Sequence, residues 1–448
     1  MKVLLVRLLA QNLIGGFAAV ECEPLELEYL SAACREAGIQ AEIYDGAVDC
    51  RRFTDVLRAA CPDAVAVTGY LTQEKEIRRC TELVKAVLPS CPVLLGGVHV
   101  QLNYRRLMWD TVDVLVRGED PRAFAQTLRR LDGGRDLTAI DGLCWREGGQ
   151  WRETPYAPCE IEDFPLPDRS GWAERAVWYH YLDLNHLATV KTAVSCPYSC
   201  IFCYGTHLHG GVYQARSVRS VLDELETLEA EHIFFVDSDF LVSEQRMREL
   251  LKGLRERNIK KTFICYGRAD FIAEHPTLIK ELCAAGFRWF LVGIEAVADE
   301  RLQRWEKGTN SSANDACLRI LRENKVHCVA LMIADLSFSR ADFRTIYRWA
   351  RSRRLRYVTV QVLTPLPGTE LYRQAGGDLE DADLSRWDLA HPVREPDKLT
   401  KRQFMRCYRR LLVRLATMGW LRGAYRFVTP RYLLRALVRW YKGRKMLQ

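Results

Sequence analysis

The chain of 448 residues contains no run of eighteen apolar residues, so no membrane-spanning helix is expected. Met1 to Ala19 has the apolar flavour of a signal peptide, but Arg7 interrupts it and Val3 to Val6 reads better as a first strand. That strand is not followed by G-x-G-x-x-G, which argues against a dinucleotide ligand. No histidine precedes His99. The last 48 residues, from Lys401 to Gln448, hold fourteen Lys or Arg and no Asp or Glu. Since the whole chain is at +8, the first 400 residues carry a net charge of −6, and the basic character belongs to the tail alone. Cysteine is plentiful, at sixteen, yet forms no compact framework. Most, such as Cys34, Cys80, Cys283 and Cys317, sit singly inside strand or helix patterns as reduced buried thiols, which suits a reducing cytoplasm.

Hydrophobic content of 48% and charged content of 27% are those of a globular protein, and the length implies two or three domains. Residues 1–135 alternate strand and helix patterns. Lys2 to Val6, Gln40 to Tyr44, Ala64 to Thr68, Pro92 to Gly96 and Val112 to Val116 are short β-branched and aliphatic runs of the kind buried in a parallel sheet. Amphipathic helices, such as Glu26 to Ala37 and Glu74 to Val87, separate them. A doubly wound, Rossmann-like α/β domain binds ligands at the carboxyl ends of its strands. Those ends fall at Gln11–Gly16, Asp45–Asp49, Thr68–Gln73, Gly96–Gln101 and Gly118–Asp120.

Residues 136–186 read as a connector, with a hairpin tip at Gly148-Gly149 and a proline-punctuated stretch from Asp163 to Arg169. From 187 to 385 a second strand–helix series runs six times. Its strands are expected at Ala188–Val194, His232–Val236, Thr262–Tyr266, Trp289–Ile294, Val329–Ile333 and Tyr357–Val362, giving an open, partial (β/α)6 barrel of TIM type. Residues 386–448 form a basic helical region.

The loop after the first barrel strand holds Cys196, Cys200 and Cys203, with three and then two residues between them. Such thiols can hold three corners of an iron–sulfur cluster and leave the fourth iron open to a ligand. A zinc loop is the alternative, with His207 or His209 as the fourth ligand. The spacing, with Phe202 before the third cysteine, resembles the signature loop of radical S-adenosylmethionine enzymes. The N-terminal order Thr68-Gly69-Tyr70-Leu71-Thr72, Gly96-Gly97-Val98-His99 and Arg117-Gly118-Glu119 looks like the cobalamin-binding domain that precedes many of them. The turn Thr364-Pro365-Leu366-Pro367-Gly368-Thr369-Glu370 is similar to a recurrent exit turn of the same group, so the likeness spans roughly residues 1–400.

The resemblance implies three cofactors: a 4Fe–4S cluster on the three cysteines, S-adenosylmethionine on its open iron, and cobalamin in the first domain. It implies corrin contacts at Tyr70, Thr72, Gly97, His99, Gly118 and Glu119, with Phe202 packing at the cluster. For S-adenosylmethionine it points to Asp237 and Asp239 at the amino group, although the commoner Gly-Gly-Glu is absent. Arg268 is expected to clamp the carboxylate and Glu295 to bond ribose hydroxyls. Surface ion pairs or helix caps are the plain alternative for each. Where the wider cobalamin fold carries D-x-H-x-x-G, this chain reads Asp45-Gly46-Ala47-Val48-Asp49, so no lower imidazole ligand is expected from that loop.

The function implied is methylation of an unactivated carbon, in a small-molecule or lipid-like substrate, with an external electron donor. In that scheme one S-adenosylmethionine yields the 5′-deoxyadenosyl radical, methylcobalamin supplies the methyl group, and a second S-adenosylmethionine restores it. The same cofactors also serve oxidation, ring contraction or cyclisation without methyl transfer. A methylthiotransferase is disfavoured, because the N-terminal cysteines are too scattered for a second cluster. A non-enzymatic cobalamin or iron carrier is the alternative of a different class.

In the tail, Phe404, Tyr408, Leu411, Leu412 and Leu415 recur at helical spacing beside Arg402, Arg406, Arg409 and Arg410. A second helix is expected with Leu434, Leu437, Val438 and Tyr441 on one side and Arg435, Arg439 and Lys442 on another. Two readings stand: a helical cap over the barrel, or peripheral contact with an anionic membrane from the cytoplasmic side. No nucleic-acid module accompanies the charge.

Overall fold

The computed structural model describes residues 1–9, 19–49, 51–376, 383–430, 432–434, 437 and 447. The loop at Gln11–Gly16 lies outside the described residues, as do Arg435, Val438, Arg439, Tyr441 and Lys442 of the second tail helix. The chain divides into two units. The first comprises Met1–Asn185, His207–Val212 and Val428–Gln448; the second comprises His186–Thr206 and Tyr213–Phe427.

The first unit holds β1 (Lys2–Arg7), β2 (Val20–Glu21), β3 (Gln40–Asp45), β4 (Ala64–Thr68), β5 (Val93–Gly96), β6 (Val114–Val116), β7 (Leu143–Glu147), β8 (Gln150–Glu153), β9 (His180–Tyr181) and β10 (Leu184–Asn185). Its main sheet runs β3-β1-β4-β5-β6-β7-β8. The first five of these are parallel, while β7 and β8 add antiparallel to that edge. The hairpin expected in the connector is therefore part of this sheet. Alternation along β1 explains the layering: Val3 and Leu5 enter one hydrophobic core, Leu4 and Val6 the other, so both faces are covered. Strand order reverses between β1 and β4, and ligands of open α/β sheets bind at that kind of switch point.

The second unit holds β11 (Leu187–Val190), β12 (Ala193–Val194), β13 (Gln214–Ala215), β14 (His232–Phe235), β15 (Thr262–Arg268), β16 (Phe287–Glu295), β17 (His327–Ala334) and β18 (Tyr357–Val362). Six of them form an open parallel sheet in the order β11-β14-β15-β16-β17-β18. Phe235 stacks on Phe240 at 4.3 Å and on Phe263 at 5.5 Å, and Phe263 meets Phe287 at 4.8 Å. The strand expected at Ala188–Val194 is broken in two. The Thr192 amide leaves the ladder to donate to Asp237 Oδ1 at 2.6 Å, and β12 then pairs antiparallel with β13.

The helix Lys401–Leu421 starts on a reciprocal cap between Thr400 and Gln403. Phe404, Tyr408, Leu411 and Leu415 are buried, Leu412 half-buried. Tyr408 donates to the Val360 carbonyl at 2.8 Å, and Phe404 meets Phe343 edge-on at 5.1 Å. This face caps the barrel. The opposite face exposes Arg402, Arg406, Arg409 and Arg410, then Val413 (64% exposed), Trp420 (66%) and Leu421 (72%). No helix among the described residues is long and apolar enough to cross a membrane.

Candidate active site

In the second unit, the three cysteines lie in an excursion between β12 and β13, so the two-stranded ladder closes its base. Ser195 begins the loop with φ +60° and points its hydroxyl at the Gly205 carbonyl, 3.4 Å away. The Cys203 amide donates to the Cys200 carbonyl at 3.1 Å. The loop is also docked on the barrel: the Ile201 amide donates to Trp305, the Leu371 amide to Ile201, and Phe202 meets Trp305 edge-on at 5.9 Å. Phe202 is thus a packing residue of the loop.

Burial raises the Cys203 thiol and pushes Cys196 up to about 11, with the neighbouring Cys200 sulfur adding to both, so iron must displace protons on entry. Among the described residues no three His, Cys, Asp or Glu side chains gather as tightly as around a single ion. Three thiols on one loop are a donor set whose chemistry suits the irons of an iron–sulfur cluster. His209, one of the two histidines considered for zinc, has Nδ1 on Glu119 in the first unit.

The two aspartates after β14 have different environments. Asp237 is fully enclosed: Oδ1 accepts the amides of Thr192 and Ala193 at 2.6 and 3.0 Å, and Oδ2 accepts the Thr192 hydroxyl. Asp237, expected at an amino group, thus has both oxygens occupied by the protein. Its oxygens are used to hold the root of the cysteine loop, and burial pushes its carboxyl up to about 6. Asp239 accepts only the Leu241 amide on Oδ1, at 3.2 Å, while Oδ2 is buried without a hydrogen-bond partner among the described residues. Burial pushes this carboxyl up to about 7, against the pull of Lys307 and Arg268.

Arg268, expected to clamp a carboxylate, is engaged within the protein. Its fork is closed on Asp270, with Nε 3.0 Å from Oδ1 and Nη2 2.6 Å from Oδ2, and its plane lies 4.0 Å over Tyr198. Glu295 Oε1 takes Lys307 Nζ at 2.9 Å. Lys307, absent from the sequence reading, stands on a loop twelve residues beyond its partner, where no motif marks it. Gly293 permits the pair, since a β-carbon there would lie 2.5 Å from Glu295 Oε1 and 2.6 Å from Lys307 Nζ.

In the first unit, the loop after β4 is tied across the switch point. Gln73 accepts the Tyr70 amide at 3.1 Å and donates to the Leu8 carbonyl at 3.0 Å, which leaves Tyr70 56% exposed and Thr72 half-buried. Gly97 has φ +89°, and a β-carbon would fall 2.3 Å from Thr68 Oγ1, so only glycine fits. His99 is buried, with Nε2 3.2 Å from Glu74 and Nδ1 3.3 Å from Asn103. Both ring nitrogens are engaged, so His99 supports the loop from behind. Gly118 lies close to the Asp141 carbonyl, and Glu119 binds His209. Ala47 is buried, and Asp45, which stands first in that loop, is forked by Arg7 at 2.8 and 2.7 Å and bonded by Tyr179. Glycine-lined strand ends with no imidazole at position 47 fit a corrin lacking a histidine from this loop.

The comparisons agree with both units. A B12 binding domain matches residues 12–128, and the radical SAM superfamily matches residues 190–350. The hopanoid C-3 methylase of Methylococcus capsulatus is 25% identical over 83% of this chain and 72% of its own length. The anaerobic magnesium-protoporphyrin IX monomethyl ester cyclase of Cereibacter sphaeroides is 25% identical over 96% of this chain and 73% of its own. The radical S-adenosylmethionine methyltransferase TsrM of Kitasatospora setae, solved with cobalamin and a 4Fe–4S cluster, shares the fold with a TM-score of 0.69. That match has 19% identity and covers 91% of this chain and 85% of TsrM. A three-cysteine loop at the mouth of an open parallel barrel, preceded by a glycine-lined B12 domain, places the chain among the cobalamin-dependent radical S-adenosylmethionine enzymes.

Proposed function

We propose that the protein methylates an unactivated carbon of a small-molecule or lipid-like substrate. The observation that carries this reading is the pairing, in one chain, of a B12 domain with no histidine at position 47 and a radical domain with its three-cysteine loop. When bound, the cofactors supply radical hydrogen abstraction and a transferable methyl group. The chain supplies position and exclusion of water.

Cys196, Cys200 and Cys203 would hold the cluster, and Asp239 would receive the amino group of S-adenosylmethionine. The partnerless Oδ2 supports the latter, because an ammonium there would relieve a buried acceptor. A cavity of about 180 Å³ lined by Leu336, Leu363, Pro365 and Leu371, together with Gln374, Ala375 and Arg394, supports a substrate with an apolar part. The reductant is an external electron donor. The exposed Arg, Trp and Leu side chains of Lys401–Leu421 support a peripheral contact with anionic lipid.

The test is anaerobic incubation with S-adenosylmethionine, cobalamin, a reductant and candidate substrates, followed by mass spectrometry. Methylation yields equal amounts of 5′-deoxyadenosine and S-adenosylhomocysteine. The cyclase relative favours a second reading, cyclisation or oxidation with the same cofactors, and 5′-deoxyadenosine without S-adenosylhomocysteine would select it.

A further inference from the structure

Arg268 ends β15, and three sides of its guanidinium are occupied within the second unit. Nε and Nη2 grip the Asp270 carboxylate, Nη2 also donates to the Lys307 carbonyl, and the face rests on the Tyr198 ring. Nη1 remains, and it is directed at Cys200 Sγ, 4.0 Å away. The side chain is buried, so water does not compete for that nitrogen. Turning the fork toward any other anion would break both bonds to Asp270.

We propose that Arg268 donates an N–H···S hydrogen bond to Cys200 and thereby raises the reduction potential of the cluster that this cysteine holds. The inference rests on the cluster reading above and deepens it. Reduction adds one electron, taken from the external donor, and part of that negative charge is shared with the ligating sulfurs. A donor fixed on one of those sulfurs stabilises the reduced form more than the oxidised one, and hydrogen bonds to sulfur are among the features that set cluster potentials. The low polarity of the site enlarges the effect. Asp270 works in the opposite sense, because its carboxylate neutralises part of the guanidinium charge before the sulfur feels it. Lys307 is a second nearby cation, but its ammonium is spent on Glu295 at 2.9 Å.

Tyr198 and Cys200 both belong to the cysteine loop, so a purely structural role for Arg268, holding that loop to the barrel, is the competing account. The two accounts differ in sign. Reconstituted full-length protein is titrated anaerobically, with the cluster followed by electron paramagnetic resonance and iron and sulfide counted in parallel. Arg268→Met removes donor and charge and is expected to shift the midpoint to more negative potential. Asp270→Asn leaves the guanidinium less neutralised and is expected to shift it to more positive potential. Shifts of the same sign, or no shift in either variant, overturn the proposal. If Arg268→Met fails to hold a cluster, Asp270→Asn decides alone: a positive shift supports the proposal, and an unchanged or negative one overturns it. Neither measurement needs turnover. A protein with these shifts but no nucleoside products would therefore sink the methyltransferase reading and leave this one standing.

Discussion

Lys307 Nζ stands 2.9 Å from Glu295 Oε1, and both side chains are buried at the end of β16. Removing one partner of such a pair leaves an uncompensated charge and costs about 3–5 kcal/mol, whereas replacing both by apolar groups is often neutral. Lys307→Met is therefore expected to lower the apparent melting temperature markedly, and adding Glu295→Leu to restore most of it. Gly293→Ala should resemble the single variant, because its β-carbon pushes the pair apart. A melting temperature unchanged in Lys307→Met would show that the pair contributes little.

With Asp239 as the proposed seat of the amino group, affinity for S-adenosylmethionine is expected to depend on pH. The free carboxyl of Asp239 is pushed up to about 7 by burial, and an ammonium partner needs the carboxylate. Binding must expel a proton below that value, so affinity falls as pH drops through 7, by about tenfold per unit at the limit. It levels off above 7. Asp239→Asn should bind weakly and without that slope, the lost charge-assisted bond being worth about 1.5–3 kcal/mol. Calorimetry on the reconstituted protein measures both. Stability has the opposite sign: a folded pKa raised above the unfolded one penalises the native state as pH rises from about 4 to 7.

Replacing Cys196, Cys200 or Cys203 by Ala should abolish iron–sulfur absorbance and 5′-deoxyadenosine formation. The B12 domain, whose cores are its own, should still bind cobalamin. A full four-iron cluster in the triple variant would refute the assignment.

Cob(II)alamin bound to the protein should show no nitrogen superhyperfine splitting from an axial histidine, since Ala47 holds the relevant position and both nitrogens of His99 are engaged. Gly97→Ala should lose cobalamin binding, because the new β-carbon meets Thr68 Oγ1 in a left-handed backbone. Absorbance of the bound corrin reports both outcomes.

Removing the tail would uncover Phe343 and β18, so substitution tests the membrane contact more cleanly. Trp420→Ser with Leu421→Ser should reduce flotation with anionic vesicles at low salt. If the unaltered protein does not float, the contact is absent and the helix is a cap alone.

Much of this was legible in advance where local chemistry and burial agree. The five parallel strands of the first sheet are apolar runs that only a two-sided core explains, and the helix Glu74–Val87 begins and ends where its pattern does. The cysteine loop was plain from spacing. What the sequence hid depends on who fills which lone pair. Asp237 and Asp239 are two positions apart in one tripeptide, and only packing shows that Thr192 and Ala193 consume the first while the second keeps an oxygen open. Lys307 carries no motif, and the ladder of β12 and β13 is too short for any period to register.

That short ladder has a consequence for how metal is acquired. Closing a long loop carries an entropic cost, and here the pairing of Ala193–Val194 with Gln214–Ala215, the carboxylate of Asp237 and the docking of Ile201 are protein contacts that help to meet it. A small metal-dependent domain unfolds when its ion is stripped, because the ion supplies the ordering. In this chain protein contacts hold the base of the loop. Chelation should therefore leave an empty cradle rather than an unfolded one, ready to be loaded again by iron and sulfide alone.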